Sequence, residues 1–95
     1  IPGGSSVPIL LPDQLDIPAS FDDVQRAGSL LGSAAIMAFD DTTDMVWLAE
    51  NLLHFYMHES CGKCTPCREG THWLYRLLHR MLAGEGSPKD IALLQ

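Results

Sequence analysis

The sequence predicts an α+β protein in two parts, the end of an α+β domain followed by the beginning of a helical bundle. Four prolines and two glycines interrupt the first 18 residues, which disfavours helices there. A short apolar run follows at residues 34–39, and apolar residues recur at helical spacing from Met45 onward. We therefore divide the chain into residues 1–40 and residues 41–95.

The first part is expected to contain loops with an edge strand, one short helix and one buried strand. Ser20 as N-cap, Asp23 three residues later and Gly28 as the stop predict the helix. The apolar run at residues 34–39 lies between polar segments and predicts the buried strand. Because these elements do not close a sheet, we expect the remaining strands of the domain to precede residue 1.

Two amphipathic helices are predicted next. The aspartate and two threonines at residues 41–43 offer N-caps for the first helix, whose apolar residues recur between Met45 and Tyr56. The second helix is expected over residues 68–83, where leucines on one face oppose histidines and arginines on the other. Glycines within residues 84–86 would end it.

A third helix is predicted to start at Pro88. Ser87 is its expected N-cap, proline stands at the first helical position, and Asp90 lies three residues past the cap. Two complete helices and one started, joined by short turns, predict an incomplete helical bundle.

Composition excludes two classes of partner. The net charge is -6, with six basic residues against twelve carboxylates, so nucleic acid is not an expected partner. The apolar run at residues 34–39 is far shorter than the roughly 20 residues that span a bilayer. We therefore expect no direct membrane insertion by this segment.

Three cysteines, Cys61, Cys64 and Cys67, stand at two-residue intervals. An odd number of cysteines cannot pair off completely, and this spacing favours metal or redox chemistry over a secreted disulfide framework. Gly62 lets the backbone turn sharply between the first two thiols. An anionic iron–sulfur cluster held here would be stabilised by Lys63, Arg68 and the N-terminus of the following helix.

The spacing of the cysteines does not identify the fourth ligand of a metal or cluster site. A bacterial ferredoxin run would place cysteine at position 71, where this chain has Thr71. His72, a neighbour such as His58, or a cysteine beyond Gln95 would complete the set. Zinc bound by three cysteines and one histidine is as compatible with the spacing as a cluster, whereas a thioredoxin-like thiol pair is disfavoured because a third cysteine follows.

The residues 58–70, HESCGKCTPCREG, resemble the cluster-binding segment of the NADH-binding flavoprotein subunits of respiratory complex I, NADH-quinone oxidoreductase. The resemblance extends through residues 2–6, 27–33 and 44–46, so it covers most of the chain. Related subunits of NAD-linked hydrogenases and formate dehydrogenases share much of this pattern, and a diaphorase subunit of that kind is the alternative parent.

The resemblance implies a ubiquitin-like β-grasp domain ending within residues 1–40 and an iron–sulfur-binding helical bundle beginning within residues 41–95. It also implies that the three cysteines supply three of the four ligands of a [4Fe–4S] cluster, with the fourth cysteine beyond Gln95. In this family Gly62, Lys63 and Arg68 would lie beside the cluster.

By the same resemblance, FMN and NADH bind outside this segment, which carries no catalytic residue of its own. The cluster would accept electrons from FMN reduced by NADH and pass them along an iron–sulfur chain toward quinone. Expected partners are the rest of the same subunit, a [2Fe–2S] thioredoxin-like subunit and the large iron–sulfur subunit of the peripheral arm. The expected location is the cytoplasmic side of the bacterial inner membrane, or the matrix side in mitochondria. The alternative from a different class is a structural zinc-binding interaction module.

Overall fold

The computed structural model describes residues 1–94 and divides the chain into two compact units, Ile1–Asp40 and Asp41–Gln95. Within the described residues the regular elements are helical, with no strand. The α-helices are α1 (Phe21–Arg26), α2 (Met45–Glu59), α3 (Thr65–Arg80) and α4 (Pro88–Leu93). Across residues 1–94, every helix is too short or too polar to cross a bilayer.

Helix α1 begins and ends where the sequence predicts. The Asp23 amide donates a hydrogen bond to Ser20 Oγ at 3.1 Å, which satisfies one of the free donors of the first turn. Gly28 follows the helix with a φ of +87°, a conformation that glycine adopts at little cost. Val24 is only 2% exposed and is part of the small core of this unit.

The predicted buried strand at residues 34–39 is wrong. Ala34 has a left-handed φ of +62°, which is incompatible with a strand, and Ile36 is 68% exposed. The segment makes one isolated antiparallel bridge, between Ile36 and Pro2. The bridge is flanked by hydrogen bonds between Ile1 and Met37 and from the Gly3 amide to the Ala35 carbonyl, and the left-handed backbone of Ala34 ends the pairing there. The expected β-grasp sheet is not confirmed within residues 1–94.

Backbone hydrogen bonds and close backbone contacts join the start of the chain to residues 30–37. The Gly3 amide donates to the Ala35 carbonyl at 2.6 Å. A Cβ on Gly3 would lie 2.3 Å from the Leu30 carbonyl oxygen, and one on Gly32 would lie 2.9 Å from the Gly3 oxygen. Both glycines have positive φ, so neither position accommodates a side chain without displacing the backbone. The glycine-rich start of the chain is therefore structural.

Helix α2 is capped by Asp44, not by the residues 41–43 that the sequence suggested. Asp44 Oδ1 accepts the amides of Val46 at 2.8 Å and Trp47 at 3.1 Å. The backbone of Asp44 is extended (φ −72°, ψ 108°), as an N-cap requires.

Helix α3 starts three residues earlier than predicted, at Thr65 instead of residue 68. Pro66 lies in the first turn, where its missing amide hydrogen would have no helical partner in any case. At the other end, α3 runs into a π-helical turn, Met81–Glu85, and Gly84 reverses the chain with a φ of +78°. The predicted glycine stop is thus confirmed, but the regular α-helix ends at Arg80.

Helices α2 and α3 form an antiparallel hairpin around the connector at residues 60–64. Leu48 of α2 and Leu78 of α3 are the buried apolar residues of the hairpin. Glu50 Oε1 lies 3.1 Å from His79 Nδ1 across the same pair of helices. The early part of α2 therefore faces the late part of α3, and the connector lies at the opposite end.

Helix α4 begins at the predicted Ser87–Pro88 signal. The Ser87 amide donates to Asp90 Oδ2 at 2.7 Å, and the guanidinium of Arg80 pairs with Oδ1 of the same carboxylate. Asp90 is only 3% exposed, and its oxygens are satisfied on both sides. The hydrogen bond from the Ser87 amide, together with Arg80, holds the pKa of Asp90 below its ordinary value against the opposing effect of burial.

We expect Asp44→Ala to lower the free energy of unfolding of the second unit by about 1 kcal/mol, since two amides of the first turn of α2 lose their acceptor. The matched control is Asp41→Ala, which removes one of the caps suggested by the sequence. Chemical denaturation followed by circular dichroism would measure both. Equal losses in the two variants would contradict the assignment of Asp44 as the cap.

A second prediction concerns the stability of α4 at low pH. Because the folded pKa of Asp90 is lowered, its stabilisation of α4 is present above the ordinary aspartate pKa of about 3.9 and is lost as the pH falls through the folded value. The Ser87 amide resonance, followed by NMR while the pH is lowered, should move with this transition. Asp90→Asn should remove the transition and Asp16→Asn, at an exposed site, should leave it. An unchanged Ser87 profile in Asp90→Asn would refute the role of this carboxylate.

Candidate functional site

The three cysteines lie in the segment where α2 ends and α3 begins. Helix α2 ends at Glu59 with Ser60 as its C-cap, and Cys61 follows in the connector. Cys64 is the N-cap of α3, with an extended backbone (φ −90°, ψ 124°), and Cys67 lies in the first turn of the helix. The three thiols therefore come from three different kinds of local structure within seven residues.

All three thiols are free and exposed to solvent. Within residues 1–94, however, no set of three histidine, cysteine or acidic side chains is gathered closely enough to hold one metal ion. A shared metal ion or cluster requires the three sulfurs to converge, and the described residues do not show that convergence. The role of the three thiols as ligands stays a prediction.

The connector is shaped by Gly62, which has a φ of +74°. A Cβ at this position would meet no atom within 4 Å, so the requirement for glycine comes from the backbone conformation and not from crowding. The turn lets the chain leave α2 and enter α3 within a few residues. It also directs the Gly62 carbonyl toward the side chain of Arg68.

Arg68 ties the connector to the helix that follows it. Its Nη1 donates to the Gly62 oxygen at 2.7 Å, its Nε donates to Glu69 Oε1 at 2.9 Å, and its Nη2 lies 3.5 Å from Thr65 Oγ1. The Arg68 backbone amide also donates to the Cys64 carbonyl at 2.9 Å, which closes the first turn of α3. The positive side chain is thereby held beside the cysteine segment.

Two hydroxyl groups that the sequence did not single out as site residues contact Cys67. Thr71 Oγ1 donates to the Cys67 carbonyl at 2.7 Å, and Ser60 Oγ lies 3.5 Å from the Cys67 sulfur. The only sequence signal for either is its position, Ser60 directly before the first cysteine and Thr71 one helical turn after the last. Hydroxyl residues at such positions are too common to identify on their own.

The charge around the segment favours an anion. The amide groups at the N-terminus of α3 carry a partial positive charge at Cys64 and Cys67, and Lys63 and Arg68 add two positive side chains in the same segment. Two carboxylates lie in the same segment: Glu69 is paired with Arg68, and Glu59 lies 3.4 Å from His58 Nδ1. These carboxylates offset the two cations, so the amide groups at the N-terminus of α3 are the contribution that favours an anion.

The histidines raised as possible fourth ligands lie on helices. His72 is exposed on α3, and His58 is exposed in the last turn of α2, beside Glu59. Neither is brought together with the cysteines into a set of ligands within residues 1–94. His54 contacts the ring of Tyr75 at 5.3 Å, along the hairpin and away from the connector.

The three cysteine thiols of the segment are the type of ligand that binds an iron–sulfur cluster. Such clusters are held by cysteine thiolates, commonly four, and three exposed thiols on one short segment can supply three of them. A cluster with four thiolate ligands is anionic, which matches the positive charge of Lys63, Arg68 and the α3 N-terminus. The donor set therefore fits the group, although the sulfurs are not yet gathered.

Comparison with known proteins gives consistent relatives. The chain is 48% identical over 95 residues, all of its length, to the NADH-quinone oxidoreductase F subunit numbered 2 of Rhizobium meliloti. Over 90 residues, 95% of its length, it is 51% identical to the NADH-quinone oxidoreductase F subunit of Mycobacterium tuberculosis and 50% identical to that of Streptomyces coelicolor. The chain spans only 20% to 23% of the length of these relatives.

Residues 47–95 match the family described as the NADH-ubiquinone oxidoreductase-F iron–sulfur binding region. The match includes α3, the connector and all three cysteines, together with most of α2. Since it covers more than half of the chain, and the relatives named above agree with it, the chain belongs to the family of NADH-ubiquinone oxidoreductase-F iron–sulfur binding regions.

Proposed function

We propose that this chain is part of the flavoprotein subunit of an NADH-quinone oxidoreductase and that Cys61, Cys64 and Cys67 bind a [4Fe–4S] cluster. The fourth ligand in this proposal is a cysteine beyond Gln95. The observation that carries the proposal is the family match at residues 47–95, which encloses all three cysteines. The exposure of the three thiols supports it, because an incoming cluster can reach each sulfur.

In this proposal the chain's own residues hold the cluster and set its electrostatic surroundings. Cys64 and Cys67 present their thiolates at the positive end of α3, and Cys61 presents its thiolate from the connector. Arg68 fixes the Gly62 carbonyl and keeps its positive charge near the sulfurs, while Lys63 adds a second charge. These contributions favour the anionic cluster and influence its reduction potential.

When bound, the cluster supplies a one-electron carrier between FMN reduced by NADH, bound elsewhere in the parent subunit, and later iron–sulfur centres on the route to quinone. The residues of this chain take part in no hydride transfer in this scheme. Their task is to hold the carrier at the end of the α2–α3 hairpin, where the rigid helices fix both ends of the connector.

The wider setting is part of the same proposal. We infer that residues 1–40 are the end of a β-grasp domain completed elsewhere in the subunit and that residues 41–95 begin its iron–sulfur-binding bundle. The division of the chain into units at Asp40 and Asp41 supports this boundary. A [2Fe–2S] thioredoxin-like subunit and the large iron–sulfur subunit are the proposed partners, at the cytoplasmic side of the bacterial inner membrane or the mitochondrial matrix side. The relatives' names, which place them in NADH-quinone oxidoreductase, support that setting.

We expect Cys64→Ala to abolish the [4Fe–4S] cluster while leaving reduction of FMN by NADH in the parent subunit. One thiolate of four is lost, and alanine offers no replacement ligand. EPR of the reduced subunit would measure the cluster, and flavin bleaching would measure hydride transfer. A full [4Fe–4S] signal in Cys64→Ala would sink the ligand assignment.

His72→Ala is the matched control for this experiment, since His72 is exposed on the same helix and was a possible fourth ligand. It should retain the full cluster signal. Loss of the metal site in His72→Ala would instead favour a site built from three cysteines and one histidine.

Metal analysis separates the cluster from structural zinc. After anaerobic purification we expect a brown protein containing iron and acid-labile sulfide in equal amounts, the composition of a [4Fe–4S] cluster. A colourless protein containing one zinc ion and no sulfide would overturn the proposal in favour of a structural zinc module. The same measurement on Cys64→Ala should show both iron and sulfide lost together.

A further inference from the structure

Ser60 makes two contacts that join the two ends of the cysteine segment. Its Oγ lies 3.3 Å from the Gly62 amide nitrogen and 3.5 Å from the Cys67 sulfur. Ser60 is the C-cap of α2, and Cys67 belongs to the first turn of α3. One small side chain therefore spans from the end of one helix to the start of the next, across the connector that contains Cys61 and Cys64.

The chemistry of Gly62, Ser60 and Cys67 fixes which group donates and which accepts in each hydrogen bond. The Gly62 amide can only donate, so Ser60 Oγ accepts from it. A serine hydroxyl has one hydrogen and two acceptor sites, which leaves its hydrogen for the Cys67 sulfur. A thiolate can only accept. Once Cys67 is deprotonated, as a ligand must be, the hydrogen bonds run from Gly62 to Ser60 and from Ser60 to the sulfur.

Other residues hold both partners of Ser60 in place. The Gly62 carbonyl accepts from Arg68 Nη1 at 2.7 Å, and the Cys67 carbonyl accepts from Thr71 Oγ1 at 2.7 Å. Neither bond involves Ser60. The backbone carbonyls of Gly62 and Cys67 therefore have hydrogen-bond partners that do not depend on Ser60.

We propose that Ser60 is a positioning residue of the cluster site, whose hydroxyl orients the Cys67 sulfur and raises the reduction potential of the cluster bound there. This inference rests on the proposed function. A hydrogen bond to a ligating sulfur is a recognised influence on cluster potential. Because the reduced cluster carries one more negative charge than the oxidised cluster, a donor to its sulfur stabilises the reduced form more and makes the potential less negative.

The test compares Ser60→Ala with Ser60→Thr in the cluster-loaded parent subunit. Threonine keeps the hydroxyl, and the backbone of Ser60 (φ −61°, ψ 126°) lies in a region that a β-branched residue adopts readily. Ser33→Ala, at an exposed serine of the other unit, is the control. Redox titration followed by EPR should give a more negative midpoint potential in Ser60→Ala and potentials close to wild type in the other two variants.

A second measurement tests the geometry in the chain without a cluster. Hydrogen exchange of the Gly62 amide, followed by NMR, should be about fivefold faster in Ser60→Ala, the ratio expected from the loss of one ordinary hydrogen bond. Ser60→Thr and Ser33→Ala should exchange at the wild-type rate. This readout does not need iron, so it separates a failure of the Ser60 inference from a failure of the proposed cluster.

Each result decides one part of the inference. A fully loaded Ser60→Ala subunit with the wild-type potential would overturn the effect on the cluster, and equal Gly62 exchange in all variants would overturn the positioning role. If Ser60→Ala fails to assemble a cluster that Ser60→Thr assembles, the need for the hydroxyl is supported. If wild type itself assembles none, the proposed function fails and the effect on potential fails with it, while Gly62 exchange still decides the positioning role.

Discussion

The start of α3 at Thr65 is the constraint on which the cysteine segment depends. It makes Cys64 the N-cap and places Cys67 inside the first turn, so two of the three thiols lie at the positive end of a helix dipole. It also places Arg68 where its side chain reaches back to the Gly62 carbonyl. The antiparallel packing of α2 and α3 fixes both ends of the connector. Leu48 and Leu78, the buried leucines of the hairpin, lie far along the helices from the thiols. The residues that stabilise the hairpin are therefore separate from those proposed to bind the cluster.

Local signals predicted the starts of α1 and α4, but they did not predict the cap of α2, the start of α3 or the pairing of residues 34–39. Ser20 and Ser87 were correctly identified as helix starts, since a cap and the residues that complete it lie within one turn. The cap of α2 was misplaced because several consecutive residues had suitable side chains and only the backbone geometry at Asp44 selects among them. The strand at residues 34–39 failed for a different reason. An apolar run alone does not specify pairing partners, and the left-handed φ of Ala34 has no signature in its residue type.

The candidate site could be predicted as a set of residues but not as a geometry. The spacing of the cysteines identified the segment and its chemistry, and the family match to residues 47–95 agrees with that identification. The early start of α3 was missed because the helix was predicted to begin after the last cysteine, although Pro66 is well suited to the first turn of a helix. A shared metal or cluster also requires the three sulfurs to converge, which residues 1–94 do not show. The contact of Ser60 with Cys67 depends on how the connector folds back, and no short-range pattern encodes that.

The contacts of Arg68 mean that its charge and its shape serve the segment in different ways. The planar guanidinium contacts the Gly62 carbonyl, the Thr65 hydroxyl and the Glu69 carboxylate at the same time. A lysine ammonium carries the same charge on one compact group and cannot make hydrogen bonds to all three in this geometry. Arg68 therefore contributes both a positive charge and the hydrogen bonds that hold the connector. A lysine at position 68 would keep the positive charge but would lose these hydrogen bonds.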